Sequence, residues 1–439
     1  MKTHNIFLNT IMLFVLCVPT ISRAADSESS AFEGMWTRDK LFGDWGGLRS
    51  GLGKHGIAFD IKLSQFYQSV EGGGVNENDE YGGKVDYVVN VDGEKLGLWK
   101  GLFLNFHAET QFGHSITGDA GDLTFPNTAM LWPLPGEQST EVTGWTVTQG
   151  VYQKGDTALA LMAGKINALD LVDMVFPNVG GGTDSFMNTN VLVTALPWLR
   201  YVKLSMLGAG GLMLKDGKIQ GGLIFLDSNN ATNNTGFPKL GDNGFITVGL
   251  YRFFFDLHGK PGSLSFLAAG STGEYSVLER TEWVIGRTPT SVFVVPGVEL
   301  EKERGPWSGG VYYDQILWQS GNKGERNVRF FTSVSIADDD PSFSDWSFMG
   351  QVEATGFFPS RPLDKMGIGG FYSGMTSKVK SEAEDLLGVS IQDLSGFEVY
   401  YSAAVTPSIH VTGDLQLINN PREVDDMAII PGLRMVIDF

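Results

Sequence analysis

After residue 56 the chain is a long succession of two-faced segments. Ile57, Phe59, Ile61 and Leu63 alternate with Ala58, Asp60, Lys62 and Ser64. Over 102–112, one face carries Leu102, Leu104, Phe106, Ala108, Thr110 and Phe112. The other carries Asn105, His107, Glu109 and Gln111, with Phe103 as an exception. Val352 and Ala354 alternate with Gln351 and Glu353. Near the end Ile429, Leu433, Met435, Ile437 and Phe439 alternate with Arg434 and Asp438. A period of two means strands with one dry and one wet side. About 17 candidate strands of roughly ten residues follow one another, punctuated by Gly, Asn, Asp and Pro. Tight turns are expected at Asp216-Gly217, Gly259-Lys260-Pro261-Gly262, Gly321-Asn322-Lys323-Gly324 and Asn419-Asn420-Pro421. Longer connections are expected over 113–140, 177–195 and 227–242. Helical pattern is confined to 41–55 and 378–387.

The fold class this predicts is all-β, a single transmembrane antiparallel barrel. Single-chain bacterial barrels have even strand numbers, so about 17 segments reads as 16, with 18 as the alternative. A soluble sandwich of this length would need two domains, and no linker divides the chain. Aromatic residues gather near strand ends at Trp99, Tyr312-Tyr313, Phe330-Phe331, Phe357-Phe358 and Tyr400-Tyr401, as interfacial girdles would require. The chain stops on an aromatic strand end, Phe439, a feature common to outer-membrane barrels and read by their assembly machinery. In lipid an unpaired strand edge is forbidden, so the last strand must close on the first.

The amino end carries a different pattern. Lys2 precedes an apolar stretch over 6–18, then Pro19 and the small-residue site Ser22-Arg23-Ala24. This is the arrangement of a secretory signal peptide ending at Ala24, too short for a spanning helix. Three parts are therefore expected: a signal peptide over 1–24, an amino-terminal periplasmic segment with a short helix over 25–56, and the barrel over 57–439. The single Cys, Cys17, lies inside the signal, which leaves no thiol for a disulfide or a Cys-based zinc site. The formal charge is −18; losing Lys2 and Arg23 with residues 1–24 makes it −20. Such a balance argues against a nucleic-acid partner, and hydrophobic residues at 42% with aromatics at 12% exclude a disordered chain.

The segment Leu41-Phe42-Gly43-Asp44-Trp45-Gly46-Gly47-Leu48-Arg49, followed by Gly56-Ile57-Ala58-Phe59, resembles the amino-terminal signature of the OprB family of carbohydrate-selective porins. Further blocks are similar to the same family: Glu94-Lys95-Leu96-Gly97-Leu98-Trp99-Lys100-Gly101-Leu102-Phe103, Gly164-Lys165-Ile166-Asn167 with Asp170, and Asp414-Leu415-Gln416-Leu417-Ile418 with Asn420-Pro421. Over 205–345 no family block is recognisable. The resemblance implies a 16-stranded channel that admits sugars passively across the bacterial outer membrane. It assigns no residue as a sugar contact.

Sugar hydroxyls both donate and accept, so wet-face carboxylates, amides and cations can replace water around them. The lumen candidates are Asp60, Lys62, Asp86, Asn90, Asn105, His107, Glu109, Gln111, Lys165, Asn167, Arg329, Gln351, Glu353, Asp414, Gln416 and Arg434. The densest wet face, Asn105, His107, Glu109 and Gln111, is the first choice for the constriction. No cofactor, metal or catalytic group is expected. His107-Ala108-Glu109 supplies only two ligands on one strand face, and Ser320-Gly321-Asn322-Lys323 has nucleophile spacing but turn chemistry. Asp338-Asp339-Asp340-Pro341 reads as a solvated acidic loop. The Asp44–Arg49 string reads as a staple between the amino end and the barrel in preference to a plug. Expected partners are permeating sugars, outer-membrane lipid and lipopolysaccharide, the assembly machinery at Phe439, and two further copies in a homotrimer.

Overall fold

The computed structural model describes residues 34, 36–121, 123–131, 139–177, 179–199, 202–276, 302–320, 326–340, 342–387, 390–422 and 426–439. The expected signal peptide and the 321–324 turn lie outside these residues.

Sixteen antiparallel strands close into a barrel. They are β1 (Ile57–Ser69), β2 (Asp79–Asp92), β3 (Leu102–Gly113), β4 (Ser139–Lys154), β5 (Thr157–Asn167), β6 (Ser205–Lys215), β7 (Lys218–Asp227), β8 (Phe245–Leu257), β9 (Lys260–Ser271), β12 (Trp307–Ser320), β13 (Arg326–Ala337), β14 (Ser344–Thr355), β15 (Lys365–Met375), β16 (Leu394–Thr406), β17 (Ile409–Asn419) and β18 (Ala428–Asp438). Two short strands, β10 (Glu274–Ser276) and β11 (Lys302–Arg304), pair antiparallel as a separate two-stranded sheet between β9 and β12. The described residues thus hold 18 strands, 16 of them in the barrel. Each barrel strand pairs with its sequence neighbour, and β18 closes on β1 with Leu63 opposite Ile437. No helix among the described residues is long and apolar enough to cross a membrane; the strands do the crossing.

One rim is built of short turns, the other of long connections. Asp216-Gly217 and His258-Gly259 turn with positive φ at both residues, the twist-matched geometry for a two-residue hairpin. The second turn is therefore shifted from the expected position: Lys260, Pro261 and Gly262 already belong to β9. Asn420-Pro421 opens the longer β17–β18 connection, not a tight turn.

Alternation sorts the two faces as the pattern demands. Phe106, Leu161, Phe253, Ile368 and Leu433 are exposed on the outer wall, while Ser64, Glu109, Ser335, Gln416 and Arg434 are buried inside. The aromatic doublets within strands divide between the faces, because consecutive strand residues point opposite ways, whereas Phe357 and Phe358 lie in the β14–β15 turn and are both exposed. Tyr312, Phe331 and Tyr400 are buried, whereas Tyr401 is exposed outside. Only one member of a doublet within a strand can serve a girdle. Trp346 stacks on Tyr372 at the long-loop end, with centroids 5.3 Å apart.

The staple at the amino end is formed as expected. A short helix, α1 (Leu48–Lys54), follows the Asp44–Arg49 string. The Leu41 N–H donates to the Asp438 carbonyl at 2.7 Å, and Phe42 packs on Phe439 at 5.4 Å. Arg49 donates from Nη1 to the Phe59 carbonyl and from Nη2 to Phe439 O, at 2.6 and 2.7 Å. The string thus ties the first strand to the last at the short-turn rim.

Candidate functional site: a lumen narrowed by an inward loop

The β5–β6 connection, residues 168–204, turns into the barrel. Asn167 caps its first helix, α3 (Ala168–Val175), by accepting the Leu169 N–H at 2.9 Å. A second helical turn is α4 (Thr189–Leu192). The β3–β4 connection, with α2 (Thr117–Ala120), lies against it: the Thr128 N–H donates to Met187 O at 2.8 Å. Inner-wall groups hold the loop. Glu398 accepts the Met187 and Asn188 N–H groups at 2.5 and 2.9 Å. Arg434 donates to the Gly182 and Ser185 carbonyls at 2.7 and 2.8 Å, and Arg252 to the Val175 carbonyl at 2.6 Å. Phe186, Val191, Leu192 and Leu196 pack with Phe331, Met349, Phe371, Tyr400 and Ile418 in an apolar core inside the barrel. Two inner-wall glycines of β15 make room. A Cβ at Gly367 would lie 2.6 Å from the Phe186 ring, and one at Gly369 would lie 2.6 Å from Val191 Cγ1.

Below α3 an open cavity of about 1440 Å³ extends to the short-turn rim at Lys100, Gly217 and Pro261. On its β2–β3 side Asn105 donates to Asn90 at 2.8 Å, and both face the space. His107 bridges strand and loop: its Nδ1 meets the Asp170 carboxylate at 2.9 Å and its Nε2 meets Asp86 at 3.0 Å. Lys84 lies between Asp86 and Glu109 at 2.9 and 2.7 Å. On the opposite wall Arg329 grips Asp314 with two bonds of 2.7 and 2.8 Å. Lys365 holds Asp184 at 3.0 Å. Pairs of opposite charge thus ring the lumen at the level of the loop. Asp86, His107 and Glu109 do bring three potential metal ligands within 4.8 Å. The Lys84 ammonium already supplies the positive charge there.

The family description "Carbohydrate-selective porin, OprB family" matches residues 76–439. The chain belongs to this family. The match includes the stretch 205–345, where the sequence offered no recognisable block, and begins after the Asp44–Arg49 string. In structure, the high-pH form of Pseudomonas putida OprB superposes with a TM-score of 0.69 over 95% of this chain and all of the other, at 18% identity. The low-pH form gives 0.52 over 92% and 99%, at 16% identity. No curated protein matches the sequence significantly. This porin is thus a carbohydrate-selective channel of the bacterial outer membrane.

Within this porin the sixteen candidate residues separate into groups. Asn90, Asn105, His107, Lys165 and Asn167 border the large cavity. Of these, Lys165 directs its ammonium to the carbonyls of Val142, Thr232 and Asn234 at 2.5, 3.2 and 3.0 Å. Arg329 and Glu353 border a polar alcove of about 110 Å³ with Asp184 and Lys365. Glu353 also accepts the Tyr400 hydroxyl at 2.6 Å. Asp86 and Glu109 sit behind His107 in the ion-pair network. The Lys62 side chain makes no hydrogen bond or ion pair among the described residues, and its charge acts on Asp173 and Asp184 of the inward loop. Asp60 faces the amino-terminal segment, with Lys40 at 2.7 Å. Gln111, Gln351, Asp414, Gln416 and Arg434 lie beneath the inward loops and do not border the open cavity. Gln111 donates to Met130 O at 3.0 Å, and Gln416 to Pro126 O at 2.9 Å. The wet face of β3 therefore changes role along its length. Asn105 and His107 face the passage, Glu109 is locked in an ion pair, and Gln111 holds a loop.

Lys84, Asp170, Asp173, Asp184, Arg252, Asp314 and Lys365 were not among the candidates. Arg252 had a readable signal, standing between outward Tyr251 and Phe253. Asp173 is the most informative of the loop acids. Burial raises its carboxyl from the ordinary 3.8 to about 6, Asp170 adds to the rise, and Lys62 and Lys84 oppose it. Asp184 is held low instead: burial would raise it, and Lys365 and Lys62 outweigh that. Asp173 is therefore expected to lose its charge as pH falls through about 6. Cation selectivity of the channel, measured as reversal potential in a salt gradient, should fall between pH 7 and 5, and Asp173→Asn should abolish the step. The stability sign is opposite to that of a paired acid. The raised value favours the fold below the ordinary carboxylate range, and that contribution is lost as pH rises through about 6.

Proposed function

We propose that this porin passes monosaccharides such as glucose, and small oligosaccharides, by passive facilitated diffusion. In this reading the sugar meets Asn90, Asn105 and His107 below α3. The observation that carries it is the Asn90–Asn105 amide pair beside the His107–Asp170 pair on one open cavity wall. The amides both donate and accept, and the Asp170 carboxylate held by His107 accepts, which suits neutral hydroxyls. The ring of paired charges supports the same reading. It offers no uncompensated block of one sign to attract ions over neutral solutes.

Further parts of the reading concern the chain's life in the envelope. Residues 1–24 serve as a cleaved signal peptide, 25–56 as a periplasmic segment and 57–439 as the channel domain. The outer wall meets lipid and lipopolysaccharide, Phe439 is the assembly signal, and the working form is a homotrimer. The alternative, a size-only general porin, predicts different transport. In liposome swelling, glucose and maltose should enter faster than zwitterionic amino acids of similar size, with competition by excess sugar. Asn105→Ala should reduce that preference several-fold. Equal entry of all solutes of one size would overturn sugar preference, and no swelling by a folded barrel would overturn transport.

A further inference from the structure

The cavity below α3 is chemically two-sided. Its β2–β4 wall presents Asn90, Asn105, Thr146, Thr148 and His107. The wall formed by β5–β7 presents Met162, Leu212 and Ile219, and α3 adds Leu171 and Met174. Phe254 stands further round on β8. The sequence makes the contrast directly. Inward positions of β3 read Asn105, His107, Glu109, Gln111, whereas those of β5 and β6 read Ala158, Ala160, Met162 and Leu212, Leu214.

Not all of this apolar surface is consumed by packing. Met162, Leu212 and Ile219 belong to a buried cluster, but Met174 remains 43% exposed and Phe254 37%, and both border the cavity. A lumen wall that only had to be wetted would be polar. Apolar groups facing a cavity that also holds a few convergent polar groups are the makeup of a site for a solute with both characters. The apolar C–H face of a pyranose needs one aromatic ring or a few methylenes. Here the apolar wall runs over three strands and a helix.

We propose that this cavity recognises glycosides with an apolar substituent, such as aryl or alkyl glycosides. The sugar ring lies on the Asn90, Asn105 and His107 wall, and the substituent against the exposed Met174 and Phe254. This rests on the sugar-channel reading and adds a second determinant to it.

The test is occlusion of ion current in planar bilayers holding the full barrel, with glucose, phenyl β-glucoside and phenol as probes. Phenyl β-glucoside should occlude at about tenfold lower concentration than glucose, equivalent to ~1.4 kcal/mol. Phenol alone should not occlude at that concentration. Met174→Gln, at an exposed helix position, and Phe254→Gln should each shrink the glycoside-to-glucose ratio. Equal occlusion by glucose and phenyl β-glucoside would overturn this inference while leaving the sugar channel standing. Occlusion by phenol as strong as by the glycoside would also overturn it, since the apolar wall would then act without the sugar. If no sugar occluded or permeated, the sugar-channel reading would fall with it.

Discussion

Lys84→Met is expected to destabilise the barrel by about 3–5 kcal/mol, the cost of breaking a buried ion pair from one side. Lys84 is 6% exposed, and its ammonium bonds Asp86 and Glu109 at 2.9 and 2.7 Å. Without it, two carboxylates remain close together, with Glu109 fully enclosed. Among the described residues only His107 and Asn167 are left as side-chain donors to the pair, at 3.0 and 3.3 Å. Removing both sides is expected to be far milder. Lys84→Met with Asp86→Asn and Glu109→Gln should recover most of the loss, because no uncompensated charge stays buried. Denaturant unfolding of the detergent-folded barrel, followed by circular dichroism, measures both. A single variant as stable as the parent would show that water reaches the network freely. A second readout follows from the three ligand atoms within 4.8 Å. With the ammonium gone, Zn²⁺ should raise the melting temperature of Lys84→Met and leave the parent unchanged.

This network shows what the sequence could and could not disclose. Alternation along β3 identified the inward face correctly, since a one-residue error would have put His107 and Glu109 into lipid. The strand pattern also gave closure of the last strand on the first, and the family resemblance rested on strings spread along much of the chain. Alternation says which way a side chain points, but not what stands in front of it. Gln416 and Arg434 are inward polar residues like Asn105, yet they face loop backbone instead of water. Inward apolar residues such as Phe331, Phe371 and Ile430 blur the period for the same reason: they face Phe186, Val191 and their neighbours. Nothing in the spacing of residues 177–195 distinguishes a loop that folds in from one that stands out. The acids Asp173 and Asp184 therefore stayed out of view until the loop was placed.

That placement leads to the largest expected change in transport. The loop is held near residues 182–188 by two buried side chains, Arg434 donating to its carbonyls and Glu398 accepting from its N–H groups. Phe186 and Val191 seat it against the bare backbone of Gly367 and Gly369. Glu398→Ala strands two buried N–H groups, at about 1–3 kcal/mol each. Arg434→Met removes the donor to two carbonyls at the other end of the same segment. The double variant is expected to keep the barrel, whose strand pairing is untouched, and to lose the narrow passage. Single-channel conductance should rise and fluctuate, and the preference for sugars over size-matched amino acids should fall toward unity. Gly369→Leu reaches the same outcome by another route. It removes no hydrogen bond but sets a side chain where Val191 now lies, so the helical turn at 189–192 must lift from the wall. Agreement of the two variants in conductance and selectivity would assign the constriction to the loop. Parent-like conductance in both, with the barrel folded, would instead assign it to the wall residues around Arg329 and Lys365, which neither variant touches.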